Sequence, residues 1–247
     1  MYKTIFAGMG LALACTSYAA TETDTKMTDY LRSQGLPLPG TGVQVLPHES
    51  MHYTQQQQDQ QAQIAASIAK HGYYKHPTLR AKELLMFNHV AQHQYKQFAT
   101  LTAKPTDTNL RHKIDDIIMA YKFRSVPQVE TLHSIGFAPA GTYLNEKGWT
   151  GAVHFFTSKI NASCAYTENN MSMTGGAAWL DKTIVTDDVN GKVSIVESEG
   201  NGKEFLHRIV WFDAGMIRYE LECGTKEFNA QGVLELAKRI DSSPVTM

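Results

Sequence analysis

Five consecutive residues, His48-Glu49-Ser50-Met51-His52, carry the spacing of a zinc-hydrolase motif. On an α-helix, two histidines four apart face one way and can share a Zn²⁺ ion. The glutamate between them can then take a proton from metal-bound water. In that chemistry Glu49 is the catalytic base, and His48 and His52 are the metal ligands. The surrounding sequence argues against it. Pro47 holds Leu46 in extended geometry, so no helix enters the motif from upstream. Tyr53-Thr54 and four glutamines, Gln55–Gln58, follow it and cannot wall a dry cleft. The longer form of the motif needs Gly and a third His where this chain has Gln55 and Gln58.

The other histidines give a wider metal reading. His48, His52, His71, His76, His89 and His93 fall within one stretch of the chain. His89 and His93 are again four apart. At about 100° per residue they project almost opposite the stripe of Leu84, Phe87, Ala91, Tyr95 and Phe98. A surface pair of that kind holds a transition metal weakly without ligands from another element. Met171-Ser172-Met173 could offer thioethers to Cu(I), but fits packing at a strand entry as well. His154 and His207 fall in strand-like runs and read as satisfied sheet residues. There is no nucleophile elbow, no phosphate-binding glycine loop and no Cys-x-x-Cys pair.

These residues must be positioned by elements of two kinds. Residues 20–142 are rich in Gln, His and helix formers and carry a charge of +2; residues 143–247 are rich in Val, Ile, Thr, Phe and Gly and carry −4. A boundary between a helical domain and a sheet domain is expected there, near the Gly136–Gly148 cluster. The first half predicts helices over about 27–33, 50–70, 77–101 and 108–123. A short fifth is expected, with Ser125 and Gln128 as its capping box and Val129, Leu132 and Ile135 as its stripe. Together these predict a small N-terminal helical bundle. The helix over 50–70 is polar through residue 63, so residues 50–63 are a candidate surface for a protein partner.

The second half changes period. Strands are expected at 149–157 and 163–167. Two more, at 183–189 and 192–198, flank Asn190-Gly191, the strongest short hairpin signal. Runs 205–212 and 216–223 flank Asp213-Ala214-Gly215. Asn229 then caps a terminal helix with Val233, Leu236, Ala237 and Ile240 on one face. The predicted class is α+β: the helical bundle, then an antiparallel sheet domain with a C-terminal helix. The run IVWFDAGMIRYELEC followed by VLELAKRI resembles the end of small extracytoplasmic bacterial domains of unknown function, of the type found beside anti-sigma factors. It implies an antiparallel fold outside the cytoplasm and carries no functional residue.

The N-terminal segment and the cysteines bear on compartment. Residues 1–19 form a secretory signal: Lys3, a short apolar core, and small residues before Ala20. Cys15 leaves a second route open, a lipid anchor. Cleavage after Ala19 leaves two cysteines, Cys164 and Cys223, expected to form a disulfide in an oxidising compartment. Past the signal, no apolar run reaches the ~18 residues needed to cross a bilayer. The net charge of −1 excludes nucleic-acid binding by bulk positive charge. The expectation is an exported, periplasmic or secreted bacterial protein, non-enzymatic, associated with the envelope through a protein partner and needing no cofactor. The alternative is a metal-binding protein or zinc metallopeptidase using His48, Glu49 and His52.

Overall fold

In the second half, alternating apolar and polar residues make strands long enough to pair across a wide sheet. The computed structural model describes residues 42–51, 53–75, 118–124, 132–144, 147–158, 162–213 and 217–243. Ten strands and two helices lie within them: β1 Gly42–Leu46, α1 Gln55–His71, β2 Tyr74–Lys75, β3 Leu132–Leu144, β4 Gly148–Ser158, β5 Ala162–Asn170, β6 Ala177–Asp181, β7 Thr186–Val189, β8 Lys192–Gly200, β9 Phe205–Phe212, β10 Ile217–Thr225 and α2 Ala230–Asp241. The meanders β3–β4–β5 and β8–β9–β10 join where β10 pairs antiparallel with β5. β7 pairs antiparallel with β8, and β2 pairs parallel with it. β1 and β6 form a separate parallel pair.

Local chemistry sets these elements. Asn190 and Gly191 both take positive φ, 52° and 75°, as the tight β7–β8 turn requires. The Asn229 side chain accepts the Gly232 N–H and starts α2. Cys164, Tyr166, Ile209, Trp211, Tyr219, Leu221 and Cys223 share one sheet face, which Val233, Leu236, Ala237 and Ile240 of α2 cover. Cys164 and Cys223 stand directly opposite each other on β5 and β10, with Cα atoms 4.2 Å apart, and form a disulfide. On the other face, Ile195, Val210 and Phe212 pack with Met171, Ala178 and Leu180. Phe155, Ala138 and Ala165 form a further cluster.

The N-terminal helical bundle, and with it the α+β class expected from sequence, is corrected: the fold is mostly β-sheet, with two helices among the described residues. Residues 132–135, expected to end a fifth helix, begin β3, because pairing with β4 outweighs a three-residue apolar stripe. Residues 118–123, expected to end the fourth, are not helical; Met119 bridges to Trp149 instead. The compositional boundary at 142/143 lies inside β3. The signal segment 1–19, Cys15, His52, His76, His89, His93 and the helices expected at 27–33 and 77–101 lie outside the described residues. No described helix is long and apolar enough to cross a membrane.

Candidate functional site

The helix expected over 50–70 starts later than its composition suggests. Thr54 and Gln57 form a reciprocal capping box, so α1 begins at Gln55. His48–Met51 is a separate 3₁₀ turn. A 3₁₀ turn has three residues per turn, so it does not stack positions four apart as the zinc motif requires. Glu49 is exposed.

His48 nevertheless has a buried partner. The parallel β1–β6 ladder sets Leu46 opposite Asp181, and the chain then turns at Pro47. His48 Nδ1 lies 2.6 Å from Asp181 Oδ2. Asp181 is 1% exposed, and its other oxygen accepts the Thr183 N–H at 2.8 Å and the Thr183 hydroxyl at 2.7 Å. Burial pushes the Asp181 carboxyl up, but Thr183, His48 and Tyr53 together hold it below its ordinary value. Tyr53, whose ring centroid is 5.3 Å from that of His48, is pushed up, chiefly by burial. With Asp181 ionised, His48 donates from Nδ1. Its side chain stays 42% exposed. This orients one imidazole. Among the described residues, no group of three or more His, Cys, Asp or Glu could hold a metal ion.

Two further histidines stand in the sheet, as the strand pattern places them. His207 is buried; Nδ1 lies 2.8 Å from Ser198 Oγ and Nε2 3.1 Å from Thr225 Oγ1. Burial lowers it to about 4. His154 Nε2 lies 2.8 Å from Ser134 Oγ, its ring stacks on Phe137, and burial lowers it to about 3. An imidazole so reluctant to take a proton is a poor general base, and among the described residues neither has a carboxylate behind it. Cys164, close in sequence to His154, is held in the disulfide and offers no thiol.

The acidic residues that organise this half were not singled out from sequence. Asp241, in the last turn of α2, takes Trp211 Nε1 at 3.0 Å, Lys192 Nζ at 2.5 Å and Asn190 Nδ2 at 3.0 Å. Those contacts hold its carboxyl below the ordinary value against burial. Glu168 is buried on the face that carries Cys164 and Tyr166. On the opposite face a charged ladder crosses three strands. Arg208 Nε lies 2.5 Å from Glu220 and 3.5 Å from Glu222; its guanidinium lies 3.9 Å from Glu197, and Arg218 pairs with Glu220. Burial and the Glu220 charge push Glu222 up to about 7. A shallow groove beside the ladder is lined by Ile64, Ile68, Tyr74, Val196 and Glu197.

Two sequence signals pointed at these acids. An aspartate in the last helical turn opposes the helix dipole and so needs a partner. A glutamate in period-2 register with Cys164 and Tyr166 must face the covered side. Asp181 had no such signal, because β6 is short and its pairing partner β1 lies more than a hundred residues away. Comparison with protein-family models, curated proteins and solved structures gives no match.

Proposed function

We propose that this chain is an exported bacterial protein, periplasmic or secreted and associated with the envelope, that works by binding a protein partner and not by catalysis. One observation carries the reading. α1 has seventeen residues and a complete capping box, yet Ile64 is the one residue it buries. Residues 55–59 are all exposed. Residues 55–63 of this helix bury nothing, and a helical stretch polar all round needs something to hold it. A partner seated on residues 50–63 supplies that contact. The Cys164–Cys223 disulfide and the signal pattern of residues 1–19 support export, as does the resemblance to extracytoplasmic domains.

The test is complementation in the native host. Replacing exposed Gln56 and Gln63 with Lys should abolish function while leaving export and folding intact. Glu49→Gln should have no effect. The opposite pattern favours the alternative, a zinc site on His48, Glu49 and His52. That alternative has one supporting contact: buried carboxylates commonly orient metal-binding histidines through the other ring nitrogen, as Asp181 orients His48. Stoichiometric zinc in untagged protein, lost in His48→Ala, would establish it.

A further inference from the structure

Glu168 lies under the covered face of the sheet, 1% exposed, and among the described residues no ammonium or guanidinium hydrogen-bonds to it. Its oxygens receive the Arg124 backbone N–H at 3.0 and 2.8 Å. The Tyr166 hydroxyl donates to Oε1 at 3.0 Å, and the Tyr121 hydroxyl lies 3.5 Å from Oε2. Tyr219 on β10 is a further titratable group on that side and feels the Glu168 charge. Arg124, the one cation close by among the described residues, sends its guanidinium to the carbonyls of Asp241 and Ser243, with the Asp241 carboxylate 3.9 Å away. Glu168 is thus surrounded by neutral donors. Tyr121 and Arg124 belong to residues 118–124, which lie along the sheet. Ala120 N–H donates to Trp149 O there, Trp149 N–H donates to Ile118 O, and Phe123 enters the core.

We infer that Glu168 is a proton-held latch: its neutral form fastens residues 118–124 to the sheet, and loss of its proton loosens them. The neutral carboxyl keeps a hydrogen bond with each of the three partners. Oε1 still accepts from Arg124 and Tyr166, and a proton on Oε2 can be donated to Tyr121, whose hydroxyl accepts as well as donates. The carboxylate is instead a charge taken out of water with no cation among the described residues bonded to it. Burial pushes Glu168 up to about 7, although Arg124, Tyr166 and Tyr121 all pull it down. Lifting the segment returns the group to water and to its ordinary 4.5. Between those values each pH unit then favours the open form about tenfold. The latch is independent of the partner surface on α1 and can fail or hold without it.

Hydrogen exchange of the full chain tests it, at about pH 5.5 and about pH 7.5, corrected for intrinsic rates. Opening of residues 118–124 should rise at least about tenfold at the higher pH. In Glu168→Gln it should not change with pH. Titration of the Glu168 carboxyl by carbon NMR in the unaltered protein should give a midpoint above about 6, and it decides the matter if the variant does not fold. Opening independent of pH in the unaltered protein, a pH response retained in Glu168→Gln, or a midpoint near the ordinary value each overturns the latch.

Discussion

His48 illustrates how a residue can match a motif and be used otherwise. Its spacing to Glu49 and His52 suggests zinc, while its ring is held by a carboxylate more than a hundred residues away. Asp181 matters more than His48 in that pair. Asp181→Ala leaves the Thr183 N–H and hydroxyl without an acceptor in a buried place, and should cost about 3 kcal/mol in urea unfolding. His48→Ala removes a half-exposed partner and leaves both Thr183 bonds, so it should cost about 1 kcal/mol. The Asp181 carboxyl is held down in the folded state, so its contribution is present above its ordinary 3.8 and lost as pH falls through the lower folded value. The two variants should therefore differ most at neutral pH and converge in acid. Equal losses for both at neutral pH would remove Asp181 from the centre of the pair. At this scale sequence announces residue types but not distant partners; Asp241 and Glu168 were detectable only as acids in positions that acids avoid.

Elements were legible where local chemistry decides them. The Asn190-Gly191 turn, the runs on either side of Asp213, and the Asn229 cap each specify their own geometry within a few residues. β3 was illegible because Leu132 and Ile135 also fit a helical stripe, and only pairing with β4 makes them a strand. Pro139 is tolerated because β3 stands at the end of the strand order. β1 and β6 pair with each other across more than a hundred residues, so no hairpin turn announces their pairing. The disulfide ties the two meanders at the β5–β10 seam, where neither β5 nor β10 has a short connection to the other. Closing a loop with a sequence separation of 59 is worth about 4 kcal/mol on the chain-entropy account. Cys164→Ala with Cys223→Ala should lose about that much in denaturant unfolding. A loss below about 1 kcal/mol would mean that the α2-covered core holds the seam without it.

For the molecule as a whole, burial works on acids and bases in opposite directions, and the balance predicts the shape of stability against pH. Glu168 and Glu222 are raised to about 7, so the folded state holds protons that the unfolded chain has released. Their contribution is complete below the ordinary 4.5 and is lost as pH rises through about 7. Glu222 has a side chain one-third exposed, and solvent screening reduces its share. Glu168 alone can account for roughly 3 kcal/mol. His154 and His207 are lowered to about 3 and about 4, so their contribution is present above the ordinary 6.5 and is lost as pH falls through those values. Between about pH 5 and about pH 6.5 the two effects oppose each other and stability should be nearly flat. Below that range the histidines dominate, joined by Asp181 and Asp241, and stability falls. Above it the glutamates finish titrating and stability declines toward a lower level. Thermal unfolding across pH should show that dome. In Glu168→Gln the neutral limb should flatten, and the plateau should become a rise from about pH 5 to about pH 6.5, because the histidine effect is then less opposed. A variant curve parallel to the original at every pH would mean that Glu168 titrates no differently in the folded protein than in the unfolded chain.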